Sequence, residues 1–370
     1  MKTGHDRKLL AHIDWQLAGV ILAIITLGLL NLYSSTYNLV IAKYFGVQMV
    51  WLVVGVLIAF ILSLIDYRIY ERFSDIFFWS LVVCLILVLA IGRVSQGAQR
   101  WIQLGPIAFQ PSEIMKIGVI LVLGRHFQKH HDGRRLGVLD LFIPLLYCVV
   151  PFILILKQPD LGTGLVVLGT GLSILLFVGV KKRIIIVAAF LVASFIPVAW
   201  QFLLHDYQKD RVITFLNPEK FPLGKGYQVI QSRIAIGSGE LAGKGYLKGT
   251  QSKLQFLPKQ HTDFAFSNFA EEFGFIGSTI LLALYASVGV LGFNIALTAR
   301  DSFGMYLAFG LTAKLISQAV INLGMEIGLL PVVGITLPLF SYGGSSFLTT
   351  LMGVGILLNI SSKRFIFKSD

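Results

Sequence analysis

The chain has 370 residues, of which 55% are hydrophobic and 14% charged, and its formal net charge is +12. A soluble domain carries roughly a quarter charged residues, so this composition excludes one and points to the lipid bilayer. Because the basic residues sort by loop, their excess needs no nucleic acid to explain it.

Spanning the hydrocarbon core takes roughly 20 apolar residues per helix. The apolar runs predict spans near 14–34, 45–65, 76–92, 110–127, 139–157, 162–180, 184–204, 266–293, 303–325 and 344–361. The first is long and is followed by no small-residue cleavage site, so it reads as a retained helix. Cys84 and Cys148 both fall inside spans and read as small packed hydrophobes. Outside the loop of residues 205–265 no soluble segment is long enough to build a core. Residues 1–370 therefore read as one all-α polytopic membrane domain of about ten transmembrane helices, with a large extracytoplasmic loop between helices seven and eight.

With the N-terminus cytoplasmic, sixteen basic residues fall on inside segments, among them Arg125, Arg134, Arg135, Lys181, Lys182 and Arg183. The short outside loops hold four: Lys43, Arg93, Arg100 and Lys157. A bias of this size sets topology, with both termini inside and the long loop outside.

Polar residues interrupt the spans in four places. In the third-to-fourth link, Arg100 beside Trp101 reads as an interface anchor or as a bidentate phosphate ligand. Pro111 suits the first turn of a helix capped by Gln110 or a neighbour. Glu113 and Lys116, three apart, share a helical face, as an ion pair that orients the fourth helix or as a substrate contact. In the fifth-to-sixth link, Asp160 is expected to cap the sixth helix. The long loop is basic and glycine-rich, with Arg211, Lys225 and Arg233; it is either a solvated loop drawn to anionic lipid or a cradle for a diphosphate. Within it, Tyr227, Ile230 and Ile234 lie at helical spacing, which predicts a short helix on the outer leaflet. Asp263 closes this loop. Between the last two spans, Pro331, Gly334, Pro338, Gly343 and Gly344 preclude a regular helix, so 322–345 is expected to re-enter the membrane and line a cavity. Lys314, Gln318 and Asn322 recur every four residues as a polar stripe facing the bundle, and Glu326 is a further polar intrusion.

Several runs resemble the shape, elongation, division and sporulation family of membrane proteins. They are Gln96-Gly-Ala-Gln-Arg-Trp101, Phe109-Gln-Pro-Ser-Glu-Ile-Met-Lys116, Gln158-Pro-Asp-Leu-Gly-Thr163, Gly226-Tyr-Gln228, His261-Thr-Asp-Phe264, Ala270-Glu-Glu272 and Pro331 through Ser345. His205-Asp-Tyr-Gln-Lys-Asp-Arg211, Ile234 through Gly239 and Gly249-Thr-Gln-Ser252 resemble the elongation branch in particular. Glu240 and Ser267-Asn268 depart from the family pattern.

The resemblance implies a peptidoglycan glycosyltransferase that polymerises lipid II into β-1,4 glycan at the outer face of the bacterial cytoplasmic membrane during elongation. It implies a class B penicillin-binding protein and other elongation-complex proteins as partners, besides membrane lipids. The family's essential carboxylate maps to Asp263, and its fourth-helix pair to Glu113 and Lys116. Substrate-binding or supporting candidates are those two with Arg100, Trp101, Asp160, Arg211, Lys225, Gln228, Arg233, Ser341 and Ser345. The resemblance allows a divalent cation, Mg or Mn, although no ligand cluster in the sequence demands one. His261 is expected to be solvated, and Glu272, which shares a face with Asn268, to contact the bundle. Two rival readings remain: a lipid II flippase, resting on Glu113, Lys116 and Lys314, and a scaffold that activates a penicillin-binding protein.

Overall fold

The computed structural model describes residues 14–36, 41–95, 98–104, 107–203, 206–220, 225–253, 256 and 260–363. Three helices open the chain: α1 (Trp15–Thr36), α2 (Ile41–Leu64) and α3 (Tyr67–Ile91). A small antiparallel sheet follows, β1 (Arg93–Ser95), β2 (Ala98–Leu104) and β3 (Ile107–Phe109), in that order. Next come α4 (Pro111–His130), α5 (Val138–Lys157), α6 (Leu161–Val178) and α7 (Lys182–Val198), the last ending in a wider turn over Ala199–Leu203. The long loop holds α8 (Asp206–Leu216), α9 (Lys225–Ser238) and the single turn α10 (Thr250–Lys253). The chain then closes with α11 (Ala265–Leu297), α12 (Ser302–Glu326) and α13 (Gly344–Lys363). His205, part of the elongation-like run, lies outside the described residues, as does the side chain of Lys225.

Nine helices among the described residues are long and apolar enough to cross a membrane. The tenth predicted span, α4, is not among them, since it carries Glu113, Lys116, Arg125 and Lys129. Its place in the bundle explains how those charges are tolerated. α4 packs against α3, α6 and α12, and fourteen of its residues are buried, so neighbouring helices shield it from lipid. In contrast, no residue of α7 is buried, and its apolar side chains are turned outward. The sheet is an addition to the expected all-helical architecture. Two of its strands, β1 and β3, have three residues each, too few to show a two-residue alternation against the surrounding apolar runs.

Lipid is as apolar as a helix surface, so the bundle is held by close packing and buried hydrogen bonds. Phe78, Leu85, Met115, Ile120, Val167, Ile174, Phe303 and Leu307 form part of one core. Cys148 is buried and unpaired as a thiol, packed against Gly171. Helix starts follow local chemistry. Asp66 Oδ1 accepts from the Arg68 N–H at 3.0 Å, and Asp301 Oδ1 from the Gly304 N–H at 2.8 Å. Pro111 opens α4, but Gln110 caps it without a side-chain bond.

The expected short helix forms as α9, with a different face turned inward. Val229, Ser232 and Ala235 are buried against the bundle, while Ile234 is exposed and Tyr227 and Ile230 are half-buried. Small residues at three-residue spacing make a flat ridge that lets α9 approach α11 closely. Ser232 also satisfies its hydroxyl there, which no isoleucine stripe could do.

α11 is broken at Gly274, whose φ of 64° is left-handed and suits glycine. The break frees backbone groups that the end of the long loop takes up. Phe275 N–H donates to Glu240 O at 2.8 Å and Ile276 N–H to Leu241 O at 3.1 Å; Lys244 N–H donates back to Glu271 O at 3.0 Å. Glu271 adds Lys244 Nζ at 2.6 Å and the Thr250 N–H at 2.8 Å. The loop is therefore fastened to the bundle on both sides of Asp263.

Candidate active site

Asp263 sits two residues before α11, in a turn that leads into Phe264. The first turn of a helix leaves backbone N–H groups without partners. Here the carboxylate of Glu326, at the end of α12, reaches across and takes them. Its Oε2 accepts from the Ser267 N–H and from Ser267 Oγ, both at 2.7 Å, and its Oε1 from the Phe266 N–H at 3.3 Å. One turn earlier on α12, Asn322 Nδ2 donates to Asp263 O at 3.2 Å and to Ile335 O at 2.8 Å. These bonds fix the backbone that carries the Asp263 side chain.

A cavity of about 220 Å³ opens beside that side chain. Asp263, Arg211 and Thr214 of α8, and Gln228 of α9 supply its polar lining; Phe215, Val229, Leu330 and Val332 supply apolar walls. Gly334 completes it with φ of 74°, and a side-chain carbon there would come within 3.8 Å of Asp263 Oδ2. The irregular stretch after α12 therefore lines a cavity, and the left-handed glycine keeps the wall beside the carboxylate open.

His261 is half-buried and not solvated as expected. Its ring lies 4.7 Å from that of Tyr44 and 5.9 Å from that of Tyr342, whose N–H donates to His261 O at 2.9 Å. Burial pushes the imidazole below its ordinary pKa, against the opposing pull of the Asp263 charge, so the neutral ring prevails at pH 7.

Of the predicted residues, the fold brings Asp263, Arg211 and Gln228 to one cavity. Arg233 lies on the other side of α9 and donates to Gly328 O at 2.9 Å. Arg100 donates to Pro159 O and lies 3.7 Å from Asp160 Oδ1. Asp160 in turn accepts from the Thr163 N–H at 3.3 Å, capping α6, and from Gln110 Nε2 at 3.0 Å. Trp101 pairs with Arg93 across the sheet. Ser341 Oγ accepts from the Leu337 N–H at 3.0 Å, and Ser345 is buried near the start of α13.

Glu113 and Lys116 form a buried pair at 2.8 Å, and Lys116 Nζ also meets Gln318 Oε1 at 3.3 Å. Gln318 donates onward to Thr336 O at 3.1 Å, so the polar stripe of α12 connects this pair to the irregular stretch after α12. Lys314 donates to Thr350 Oγ1 at 3.0 Å. Glu272 accepts from Ser34 of α1, and Asn268 Nδ2 donates to Asn31 Oδ1 at 2.8 Å, which places both on the bundle. Thr214 gave no functional signal in the sequence, and Glu326 stood out there as a polar intrusion without an assigned role. A carboxylate at the end of an apolar helix was the available clue to the latter.

Among the described residues, no group of three His, Cys, Asp or Glu is placed to hold a metal ion. Asp263 is the one carboxylate lining the cavity among them.

A model of the FtsW, RodA and SpoVE family, described as cell cycle proteins, matches residues 14–365. The chain belongs to this family. Among curated FtsW/RodA/SpoVE relatives, it is 42% identical over 356 residues to the peptidoglycan glycosyltransferase MrdB of Escherichia coli strain K12, covering 95% of this chain and 94% of that one. A solved chain from a structure of a peptidoglycan synthase complex, described as coordinating polymerization and crosslinking, superposes with a TM-score of 0.83 at 37% identity, covering 96% of this chain and 99% of that one. The rod shape determining protein RodA of Thermus thermophilus superposes with a TM-score of 0.72 at 32% identity, covering 95% and 98%.

Proposed function

We propose that this chain is a peptidoglycan glycosyltransferase of cell elongation, with Asp263 as its general base. The observation that carries the mechanism is the convergence of Asp263 and Arg211 on one cavity where the long loop meets the bundle. At about 220 Å³, the cavity is below the roughly 300–1,000 Å³ that encloses a drug-sized ligand. It suits the reacting sugar and phosphate, with the lipid tail and peptide left outside.

The acceptor 4-hydroxyl attacks the anomeric carbon of the donor as Asp263 takes its proton. The anomeric C–O bond to the diphosphate breaks, and the leaving group carries away the electron pair. Attack from the face opposite the diphosphate turns an α-linked donor into a β-1,4 product. Arg211, which lines the same cavity, offers a cation for the charge gathering on the departing diphosphate. Hydrolases commonly pair two carboxylates because a sugar alkoxide leaves poorly. Diphosphate leaves readily, so one suffices. Gln228 and Thr214 offer an amide and a hydroxyl for sugar polar groups. Among the described residues Asp263 is the one acid in the cavity, so the residues present do not make a metal site of their own, and no step is assigned to a divalent ion. The growing strand serves as donor and lipid II as acceptor.

The distribution of basic residues supports cytoplasmic termini and an outer long loop. The likeness to a chain of a synthase complex supports a class B penicillin-binding protein as partner. The flippase reading rests on Glu113, Lys116 and Lys314, but these three bond to one another, to Gln318 and to Thr350, none of which lines the cavity.

The test is a gel of lipid II products made by the protein with its penicillin-binding partner. Wild type is expected to make polymer ladders, and folded, partner-bound Asp263→Asn none. Equal ladders from both would remove Asp263 from the chemistry.

A further inference from the structure

Three walls of the cavity come from segments far apart in sequence: α9, the turn before α11, and the stretch that follows α12. Glu326 is where they meet. Its side chain accepts the N–H groups of Phe266 and Ser267, its backbone carbonyl accepts from Ser232 Oγ of α9 at 2.7 Å, and the chain beyond it becomes the Leu330–Gly334 wall. Ser232 and Ser267 are themselves 2.6 Å apart, oxygen to oxygen. The carboxylate is fully buried. Two backbone N–H groups at the start of α11 thus end on this one carboxyl, as a cap at a helix N-terminus requires.

We propose that Glu326 is a positioning residue for glycosyl transfer: its buried carboxylate caps α11 from a neighbouring helix and so holds the Asp263 turn, α9 and the cavity wall in one register. The proposal rests on the reading of Asp263 as the base. A free first turn of α11 would let Asp263 shift, and small displacements of a reacting group cost large factors in rate.

Wild type, Glu326→Gln, Ser267→Ala and Asp263→Asn, each bound to the penicillin-binding partner, are assayed on lipid II for kcat and KM. Glutamine keeps the size but presents an N–H₂ to one of the donors it must accept. Glu326→Gln is expected to lower kcat about tenfold with KM within about twofold. Ser267→Ala, the milder variant should glutamine impair folding, is expected to lower kcat about threefold, because it removes one of the bonds that seat the carboxylate and leaves the others. Wild-type kcat in Glu326→Gln, with Asp263→Asn inactive, would overturn the positioning role and leave the base assignment standing. An active Asp263→Asn would overturn the base assignment itself, whatever Glu326→Gln does.

Discussion

Asn322 of α12 donates from one amide nitrogen to the carbonyl of Asp263 at 3.2 Å and to that of Ile335 at 2.8 Å. A single side chain thus joins the turn that carries the Asp263 carboxylate to the irregular stretch after α12. Asn322 and Ile335 are both buried, so the Ile335 carbonyl has no water to replace the amide.

Replacing Asn322 with Ala leaves the buried Ile335 carbonyl short of a donor and unties the half-buried Asp263 turn, at a cost of about 1–3 kcal/mol. The expected outcome is a lower melting temperature in detergent and kcat reduced about tenfold, with KM for lipid II changed little. Wild-type kcat in a folded Asn322→Ala protein would show that the tie does not position the site.

Glu113 and Lys116 are both buried and 2.8 Å apart. Removing one partner strands the other charge among α3, α6 and α12, which costs roughly 3–5 kcal/mol. Lys116→Met is therefore expected to be less stable than the Glu113→Gln/Lys116→Met double variant. Thermal unfolding of the three proteins decides the matter, and additive losses would mean the two residues do not act as a unit.

Gly334 holds φ of 74° next to Asp263. A methyl at this position would sit at ordinary contact distance, so alanine costs mainly backbone strain, about 1–2 kcal/mol. Valine adds branching that the left-handed region excludes. Activity is expected to fall in the order Gly, Ala, Val, and a Val variant as active as wild type would remove Gly334 from the design of the wall.

Asp66 is 2.5 Å from Lys363, joining the start of α3 to the end of α13. Partial burial opposes its ionisation, but the Lys363 hydrogen bond, the Arg68 N–H and the two cationic charges outweigh it, so its pKa lies below the usual carboxylate value. A depressed folded-state pKa contributes stability that is complete above the unfolded value, near about 4, and is lost as pH falls through the folded one. The melting-temperature gap between wild type and Lys363→Met should be constant near neutrality and close below about pH 4. A gap that persists in acid would assign it to packing of the lysine stem.

The linear chain already determined the nine long apolar helices, because a bilayer demands length and apolarity that no local accident supplies; α4 was found as a helix through its Pro111 start and apolar run. Asp160 as a helix cap and the polar stripe of Lys314, Gln318 and Asn322 were legible for a similar reason, since capping and helical spacing act within a few residues. The sheet at residues 93–109 was not, since its strands are short and their pairing depends on register between segments. Nor was the inward face of α9, where a serine ridge displaced the expected isoleucine stripe because Ser267 and Glu326 offered it hydrogen bonds.

Arg211, Gln228 and Arg233 all read as candidate ligands, and only tertiary structure separates the first two, which line the cavity, from the third, which is tied to Gly328. Glu326 is the clearest case of what the fold alone decides. In sequence it is an isolated acid ending an apolar helix. Its partners, Phe266 and Ser267, lie some sixty residues away, and a buried charge acquires its role only from the donors that folding aims at it.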